Sequence, residues 1–534
     1  MHVSRRQFLR LGGGTAAAAA LAPALFELEP LPRPAVRFVA AAAQDMPEPD
    51  LTALLLSRAA FGARPGDVER ARAMGNDAWI EEQLDFEAID DSPVEDRLRA
   101  ALPSLAMTPA QLAAYGENND LVPTELRLAM VYRMVYSPRA LHEVMVEFWS
   151  DHFNIHHRTG ACRFLKTVDD AEVIRRHALG TFRDLLTASA TSPAMLNYLD
   201  NDVNTRDRPN ENYGREIMEL HTLGVAVAGV PYTEEDVKNV ARCFTGWSWD
   251  RSRSSATYGR FQYVDRQHDQ GPKTVLGQLI PAGLRDGDGR EVIRRLLAHP
   301  ATATHLATKL VRRFVTDDPQ GQTPDLVERV ARRYVDTDGD IREMVSSVLR
   351  SREFARSFAG YGGRLSRPMD FIVRALRTTG VPEDAFPLGT GRDNRLYQRL
   401  MGSLAAMGHL PFYWLTPDGY PDVKEAWTAS SVTLTRWNFG LALAGVGGSR
   451  LGLQLVDGYN PLSSTPPAVT TAGAFVDFWI ERLLGRPMAP DDRATVLSFL
   501  VPGGDEGAPL AAVGADRQKA AVALVLDSPY FSWR

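Results

Sequence analysis

Apolar residues recur every three or four positions through most of the chain, which is the period of an α-helix with one buried face. The pattern is clearest in seven segments: Leu51 to Met74, Thr124 to Val135, Ala140 to His157, Asn212 to Leu223, Glu291 to Val315, Leu326 to Arg350 and Phe371 to Thr379. Alternating runs typical of strands are few, and only Tyr258 to Gly277 suits a small hairpin. The pattern predicts a mainly α fold, an irregular multi-helix array with long loops and at most a small β-hairpin.

Breaks in this periodicity predict the organisation of the chain. Residues 456–473 are rich in Pro and Ser, which is typical of a linker or loop. We therefore expect a main helical domain at 44–455, this linker or loop at 456–473, and a C-terminal helical segment at 474–534 that packs on the main domain. The acidic run from Asp336 to Asp340 lacks the calcium-loop spacing, so we expect a tight turn in which Asp340 caps the next helix.

The first 43 residues have a different character. Arg5 and Arg6 precede a weakly apolar segment, Leu11 to Phe26, and four alanines end at Ala43. A charged start, an apolar stretch and small residues before a cleavage site are typical of a signal peptide, and paired arginines indicate the twin-arginine route, which carries folded proteins. The apolar segment is short for a membrane anchor. We expect cleavage near Ala43, a mature protein without a transmembrane span, and a location in the periplasm, the cell-wall space or outside the cell.

Charge and cysteine content exclude several classes of function. The 534-residue chain has a formal net charge of -6 and no dominant basic patch, so nucleic acid is a poor candidate for a partner. Its two cysteines, Cys162 and Cys243, allow at most one disulfide. The absence of a CxxC motif excludes thiolate zinc clusters and c-type haem attachment.

Two histidines stand out when Ala140 to His157 is treated as one helix. His152 and His156 fall near the centre of the apolar arc, whereas Glu143 and Glu147 fall on the opposite side. Because the two histidines are four residues apart, their rings would share a face and suit one divalent metal ion. No glutamate follows His152, so the zinc-peptidase motif itself is missing. A buried structural role for these side chains is the alternative.

A carboxylate interrupts the apolar face of the segment Asn212 to Leu223. Glu216 lies inside that face and Glu219 at its border, whereas Arg215 faces away. A buried carboxylate is unfavourable unless it is paired, hydrogen-bonded or bound to a metal. We therefore expect Glu216 to be buried or at the floor of a pocket, with Arg215 or Lys273 as its charge partner. An ion pair that joins two helices is the structural alternative.

A third group of polar residues falls in a predicted loop. His268, Asp269 and Lys273 place an imidazole, a carboxylate and an ammonium group within six residues, where loops often carry function. A polar turn is the alternative interpretation. Trp247 could stack on a sugar, although an aromatic residue after a helix is more often part of the core.

Several longer motifs occur together along the chain. They are Leu54–Gly62 (LLLSRAAFG), Phe148–Phe153 (FWSDHF), Asn210–Gly224 (NENYGREIMELHTLG), Tyr232–Val237 (YTEEDV), Ala241–Trp247 (ARCFTGW), His268 and Asp269 with Lys273, Leu276 and Gly277, and Pro417–Pro421 (PDGYP). From about Leu51 to the C-terminus the chain resembles the bacterial family known as domain of unknown function 1800. The resemblance implies a mostly helical exported protein and supplies no reaction. It also implies a genomic neighbour, the exported family known as domain of unknown function 1501, as a candidate partner.

These observations lead to two functional hypotheses. The first is a hydrolase that depends on a metal or on acid–base catalysis and acts on an extracytoplasmic glycan or envelope polymer. Its single site would contain the catalytic residues Glu216, Glu219, His152, His268, Asp269 and Lys273, the substrate-binding residues Asn212, Arg215 and Trp247, and the metal ligands His152, His156 and Glu216. The second is a non-catalytic binding or assembly protein that works with a partner from the neighbouring family.

Overall fold

A computed structural model describes residues 46–115, 120–225, 232–389, 394–447 and 454–534. The predicted signal peptide, with Leu11 to Phe26 and the cleavage site near Ala43, lies outside these ranges. The described part is mainly helical, which confirms the predicted fold class. None of its helices is long and apolar enough to cross a membrane.

The described residues form 25 α-helices. In chain order they are α1 Leu51–Ala59, α2 Asp67–Met74, α3 Asn76–Leu84, α4 Ser92–Ala101, α5 Pro109–Tyr115, α6 Leu121–Tyr136, α7 Ala140–His152, α8 Cys162–Asp169, α9 Phe182–Ala190, α10 Pro193–Tyr198, α11 Asn212–Glu219, α12 Glu234–Cys243, α13 Gly287–Ala298, α14 Pro300–Phe314, α15 Pro319–Gln322, α16 Pro324–Asp336, α17 Ile341–Leu349, α18 Arg352–Ala355, α19 Pro368–Thr379, α20 Arg395–Ala406, α21 Ser430–Ala444, α22 Ala472–Leu484, α23 Pro490–Leu500, α24 Ala515–Leu526 and α25 Pro529–Ser532. A π-helical stretch, Asp170–Arg175, follows α8.

Four short strands form two antiparallel pairs. Strand β1 (Trp247–Trp249) pairs with β2 (Phe261–Tyr263), and β3 (Lys273–Val275) pairs with β4 (Gln278–Ile280). Only β3 and β4 form a tight hairpin, and it ends just beyond the segment in which the sequence suggested one. Both pairs lie between α12 and α13 in the chain, and Trp247, Trp249, Val275 and Ile280 from them belong to the hydrophobic core.

Long periodic segments are divided where the backbone turns sharply. The segment Leu51 to Met74 becomes α1 and α2 because Phe61 and Gly62 adopt positive φ angles of 55° and 100°. The segment Leu326 to Arg350 becomes α16 and α17. Asp340 caps α17 by accepting a hydrogen bond from the Glu343 amide at 3.2 Å, as the sequence predicts. Hydrophobic periodicity alone continues through such turns and therefore overestimates helix length.

Two fully packed helices, α7 and α19, run through the core. Every residue of α19 is buried, and in α7 only Asp151 reaches the surface. Helix α7 contacts α1, α3, α6 and the π-helical stretch, whereas α19 contacts α6 and the C-terminal helices α21 and α22. Helices α22 to α25 pack against one another and against α21. The division into domains stays a prediction.

Buried arginines join elements that are distant in the sequence. Arg377 donates to the Val135 carbonyl at the end of α6 (2.9 Å). Arg58 donates to the carbonyls of Phe314 and Arg534, each at 2.6 Å. The last carbonyls of a helix lack partners within the helix and carry partial negative charge, so a guanidinium group satisfies both needs. The Val135 and Phe314 carbonyls lie at the ends of α6 and α14, so these contacts fix two helix ends, whereas Arg534 lies beyond α25.

Candidate functional site

The C-terminal end of α7 carries the side chains that define the site. Glu143 and Glu147 are 1% and 3% exposed, so the helix is also buried on the side opposite its apolar arc. The side chain of Asp151 is 20% exposed. The wheel assumed one solvated face, an assumption that fails for a helix surrounded by others. The helix ends at His152, and His156 therefore lies beyond it.

Arginines neutralise the acidic residues of this helix. Arg367 donates to Asp151 Oδ2 at 2.7 Å and also bonds to Glu147 Oε1. Arg313 lies 3.2 Å from Glu147 Oε2 and bonds to both oxygens of Asp370. All of these groups except Asp151 are at least 96% buried. A buried charge is tolerated when it is paired and hydrogen-bonded, and this network satisfies that requirement.

The network extends to the C-terminal part of the chain. Arg534 donates to Asp370 Oδ2 at 2.8 Å. Arg364 bonds to Asp422, and to Asp317 at 2.7 Å. Side chains from four separate parts of the sequence therefore fix the position of the acidic end of α7.

A loop at residues 410–422 covers Asp151. Asn154 donates to the Thr416 carbonyl at 2.7 Å, and Tyr198 donates to the Leu415 carbonyl at 2.7 Å. Gly419 has φ +74°, and a Cβ atom there would lie 2.1 Å from the Asp151 carbonyl oxygen. Only glycine permits this approach, which explains the glycine in the PDGYP motif.

The loop and α14 form an open cleft of about 220 Å³. Its lining includes Asp151, the cations Lys309 and Arg312 of α14, and the loop residues Trp414, Asp418, Tyr420 and Asp422. Carboxylate, ammonium and aromatic groups therefore face one solvent-accessible space. A concave site with a few convergent polar groups is the usual form of a ligand site.

Two groups in this cleft titrate near neutral pH. Burial and the neighbouring Glu147 carboxylate raise the pKa of Asp151 to about 7, although Arg367 acts in the opposite direction. Burial lowers the pKa of Lys309 to about 8, while Asp151 acts against that change. An acid and a base whose pKa values converge near neutrality suit proton transfer at physiological pH.

A small cavity lies behind Asp151. It measures about 20 Å³, enough for one water molecule, and its lining includes Ser150 and His409. The Ser150 hydroxyl is buried and has no hydrogen-bond partner among the described residues. Glu147, Asp151 and His409 offer ligand atoms within 4.8 Å of one another, and within the described ranges they form the one group suited to a metal ion.

The structure does not assemble the predicted metal site. His152, His156 and Glu216 do not form a ligand group within the described residues. His152 is buried, and its Nε2 lies 3.2 Å from the His221 carbonyl oxygen, whereas His156 lies beside Thr159. The prediction fails because α7 ends at His152, so the four-residue spacing no longer places both rings on one face.

Glu216 is not among the residues that line the cleft, but it is close enough to Asp418 for that carboxylate to affect its pKa. It is half-buried on α11, and burial and Glu219 raise its pKa to about 7, with Asp418 contributing in the same direction. Arg215 lowers this pKa but pairs with Glu234 at 2.7 Å and lies 3.5 Å from Glu219. Glu216 itself has no ion pair within the described part of the chain.

The remaining predicted residues have other environments. Asn212 is exposed and lies 3.4 Å from Asp200. Trp247 is fully buried against Phe244 and Phe261, which favours the core role over sugar binding.

The loop from His268 to Lys273 forms a separate buried network. His268 Nε2 lies 3.1 Å from Asp288, to which Lys273 also bonds, and Asp269 pairs with Arg242 at 2.7 Å. His268 and Lys273 are both buried. These groups share no contact with His152 or Glu216, so the expected single site divides into three environments. Lys273 is bound to Asp288 and is therefore not the partner of Glu216.

Five residues of the candidate site were not predicted from the helix faces: Glu147, Asp151, Lys309, Arg367 and His409. A signal existed for Asp151, because it lies in the FWSDHF motif beside His152, and for the covering loop, because PDGYP is also a motif. Lys309 and His409 lie in no motif, and only the folded structure brings them to Asp151. Cys162 and Cys243 are buried free thiols, so they do not form a disulfide.

Comparison with known proteins gives two matches and assigns no reaction. A model of the twin-arginine translocation pathway signal sequence matches residues 2–22, so the chain carries an export signal. No curated protein and no solved structure matches the chain. A second family model covers residues 54–533, which include both α7 and the loop over Asp151. The chain therefore belongs to the family described as "protein of unknown function (DUF1800)".

Proposed function

We propose that this exported chain is a hydrolase that uses acid–base catalysis, with Asp151 as its proton-transferring group. The presence of Asp151 and Lys309 in the lining of one open cleft, with pKa values of about 7 and 8, carries the proposal. A carboxyl group that titrates at neutral pH can donate a proton to a leaving group and remove one from water in the same cycle.

The substrate we propose is a glycan or another polymer of the cell envelope. The twin-arginine signal directs the protein out of the cytoplasm. Polymers of the cell envelope lie outside the cytoplasm, so the exported protein can reach them. Trp414 and Tyr420 line the cleft beside Asp151, so they offer apolar faces next to polar groups. The site replaces the combination of His152, Glu216 and His268 that the sequence suggested.

Electrostatics favour acid–base catalysis over a metal-dependent reaction. Glu147, Asp151 and His409 could bind a cation, but Arg367 already pairs with both carboxylates and Arg313 lies beside Glu147. A metal ion would have to compete with these two guanidinium groups for the same oxygens. We therefore expect activity to persist in the presence of a chelator.

The test is the release of reducing ends from isolated envelope polysaccharides. Asp151→Asn should lower the rate by about 10²–10⁴-fold, the usual contribution of a general acid or base. Asp207→Asn, at an aspartate whose side chain is 81% exposed, is the matched control and should leave the rate unchanged. Full activity of Asp151→Asn would refute the assigned role of Asp151. No release of reducing ends by the wild-type protein would favour a binding or assembly protein instead. Loss of activity in chelator would instead favour a metal bound by Glu147, Asp151 and His409.

A further inference from the structure

The cleft contains two cations without protein partners. Lys309 and Arg312 lie one turn apart on α14, and both line the cleft. In the described part of the chain neither side chain makes an ion pair or a hydrogen bond, and Arg312 Nε is buried without an acceptor. Residues three apart on a helix lie on the same face, so both cations are directed to one region.

The other charged groups of the cleft already have partners. Arg367 and Arg313 bind the acidic residues of the network. Asp422 pairs with Arg364, and Asp418 accepts hydrogen bonds from the Trp414 indole at 2.9 Å and from Thr416 at 2.5 Å. The donors to Asp418 are neutral, so its carboxylate keeps its charge, but Lys309 and Arg312 outnumber it and the unpaired charge of the cleft is net positive. Since a buried donor without an acceptor is unfavourable, an anion at this position would satisfy a need that the protein leaves open.

We propose that Lys309 and Arg312 bind an anionic group of the substrate, a carboxylate or a phosphate. This inference rests on the proposed function and deepens it, because it assigns the substrate to the acidic polymers. A guanidinium fork matches the geometry of both groups, and the ammonium adds a second charge beside it. The anionic group would be held next to Asp151 while Asp151 exchanges a proton with the bond to be cleaved.

The test measures binding in an Asp151→Asn background, in which turnover does not interfere. Three ligands are titrated by calorimetry: tetragalacturonate as the carboxylate, a glycerol phosphate tetramer as the phosphate, and chitotetraose as the neutral sugar. At low salt, at least one anionic ligand should bind about tenfold more tightly than chitotetraose. Its affinity should fall as the salt concentration rises, because exposed charges are screened.

Charge removal identifies the residues. In the same background, Lys309→Met with Arg312→Met should weaken binding of the preferred anionic ligand by about tenfold or more and leave chitotetraose unaffected. Lys238→Met with Arg332→Met removes the same two charges from exposed helix positions that do not line the cleft, and should have no effect. If the Met variant does not fold, Arg312→Lys, which keeps the charge and removes the planar fork, takes its place and should also weaken binding.

The outcomes separate this inference from the proposed function. Equal binding of neutral and anionic ligands, no binding of either anion, or unchanged affinity in the cleft variants would overturn the inference. If Asp151→Asn abolishes hydrolysis while charge has no effect on binding, only the inference fails. If anions bind through Lys309 and Arg312 but the wild-type protein hydrolyses no polymer, only the proposed function fails.

Discussion

Replacement of Asp151 by asparagine should stabilise the protein, and more so at high pH. Asparagine keeps the shape of the side chain and cannot ionise. A pKa of about 7, against 3.8 for an ordinary aspartate, means that the folded state binds a proton more tightly than the unfolded chain between these two values. The ionised carboxyl group therefore lowers the free energy of unfolding as the pH rises from about 4 to 7, and by a constant amount above 7.

The size of the effect follows from the two pKa values. One pKa unit corresponds to about 1.4 kcal/mol, so the full difference amounts to about 4 kcal/mol above pH 7. At pH 5 most of this loss of unfolding free energy is absent. We therefore expect Asp151→Asn to raise the free energy of unfolding at pH 5 by about 1.5–2 kcal/mol. Asp151→Asn should thus stabilise the protein by about 2–3 kcal/mol more at pH 8 than at pH 5.

Urea unfolding followed by tryptophan fluorescence at pH 5 and pH 8 measures both values, since the chain contains nine tryptophans. Asp207→Asn serves as the control and should change stability little at either pH. If Asp151→Asn destabilises the protein equally at both pH values, then the Arg367 contact dominates. Asp151 would then be an ordinary paired carboxylate, and the reasoning that makes it a proton-transferring group would be wrong.

Two further substitutions test the surrounding structure by thermal or urea unfolding. Gly419→Ala should cost about 1–3 kcal/mol more than Gly458→Ala, because both glycines have φ near +75° but only Gly419 has a backbone oxygen where the Cβ would lie; equal losses would show that the loop does not contact α7 closely. Lys273→Met should cost about 3–5 kcal/mol, because it leaves the buried Asp288 without its ammonium partner; a loss near zero would show that the His268 network is not structural.

The helices could be predicted because each long segment repeats its apolar residues with the helical period. The extent of burial of each helix could not be predicted in this way. A helical wheel compares the faces of one helix and does not show how many other helices surround it. In α7 this difference matters for the site, because Glu147 lies opposite the apolar arc of the wheel and is nevertheless almost fully buried. Amphipathicity is a property of the segment, whereas burial depends on the whole fold.

The candidate site depends on contacts that local patterns do not contain. Asn154 donates a hydrogen bond to the Thr416 carbonyl, 262 positions away in the sequence. This contact brings Asp418 and Gly419 close to Asp151. The FWSDHF motif directed attention to the end of α7, where the sequence favoured His152 because of its spacing to His156, whereas the proposed site uses Asp151. The environment of His268 likewise depends on the path of a loop. Its partner Asp288 lies in the first turn of α13, and only the folded chain brings the two together.

The hydrogen bond from Arg58 to the Arg534 carbonyl spans 476 positions, and it has a consequence for the timing of biogenesis. Arg534 likewise donates a hydrogen bond to Asp370, and this contact can form only when the last described helices are in place. Contacts between such distant positions form late and slowly, because a long loop must close first. A nascent chain threaded outward during synthesis would expose its arginines and carboxylates unpaired. The twin-arginine route carries proteins that have already folded, so residues as distant as Arg58 and Arg534 can come into contact in the cytoplasm before export.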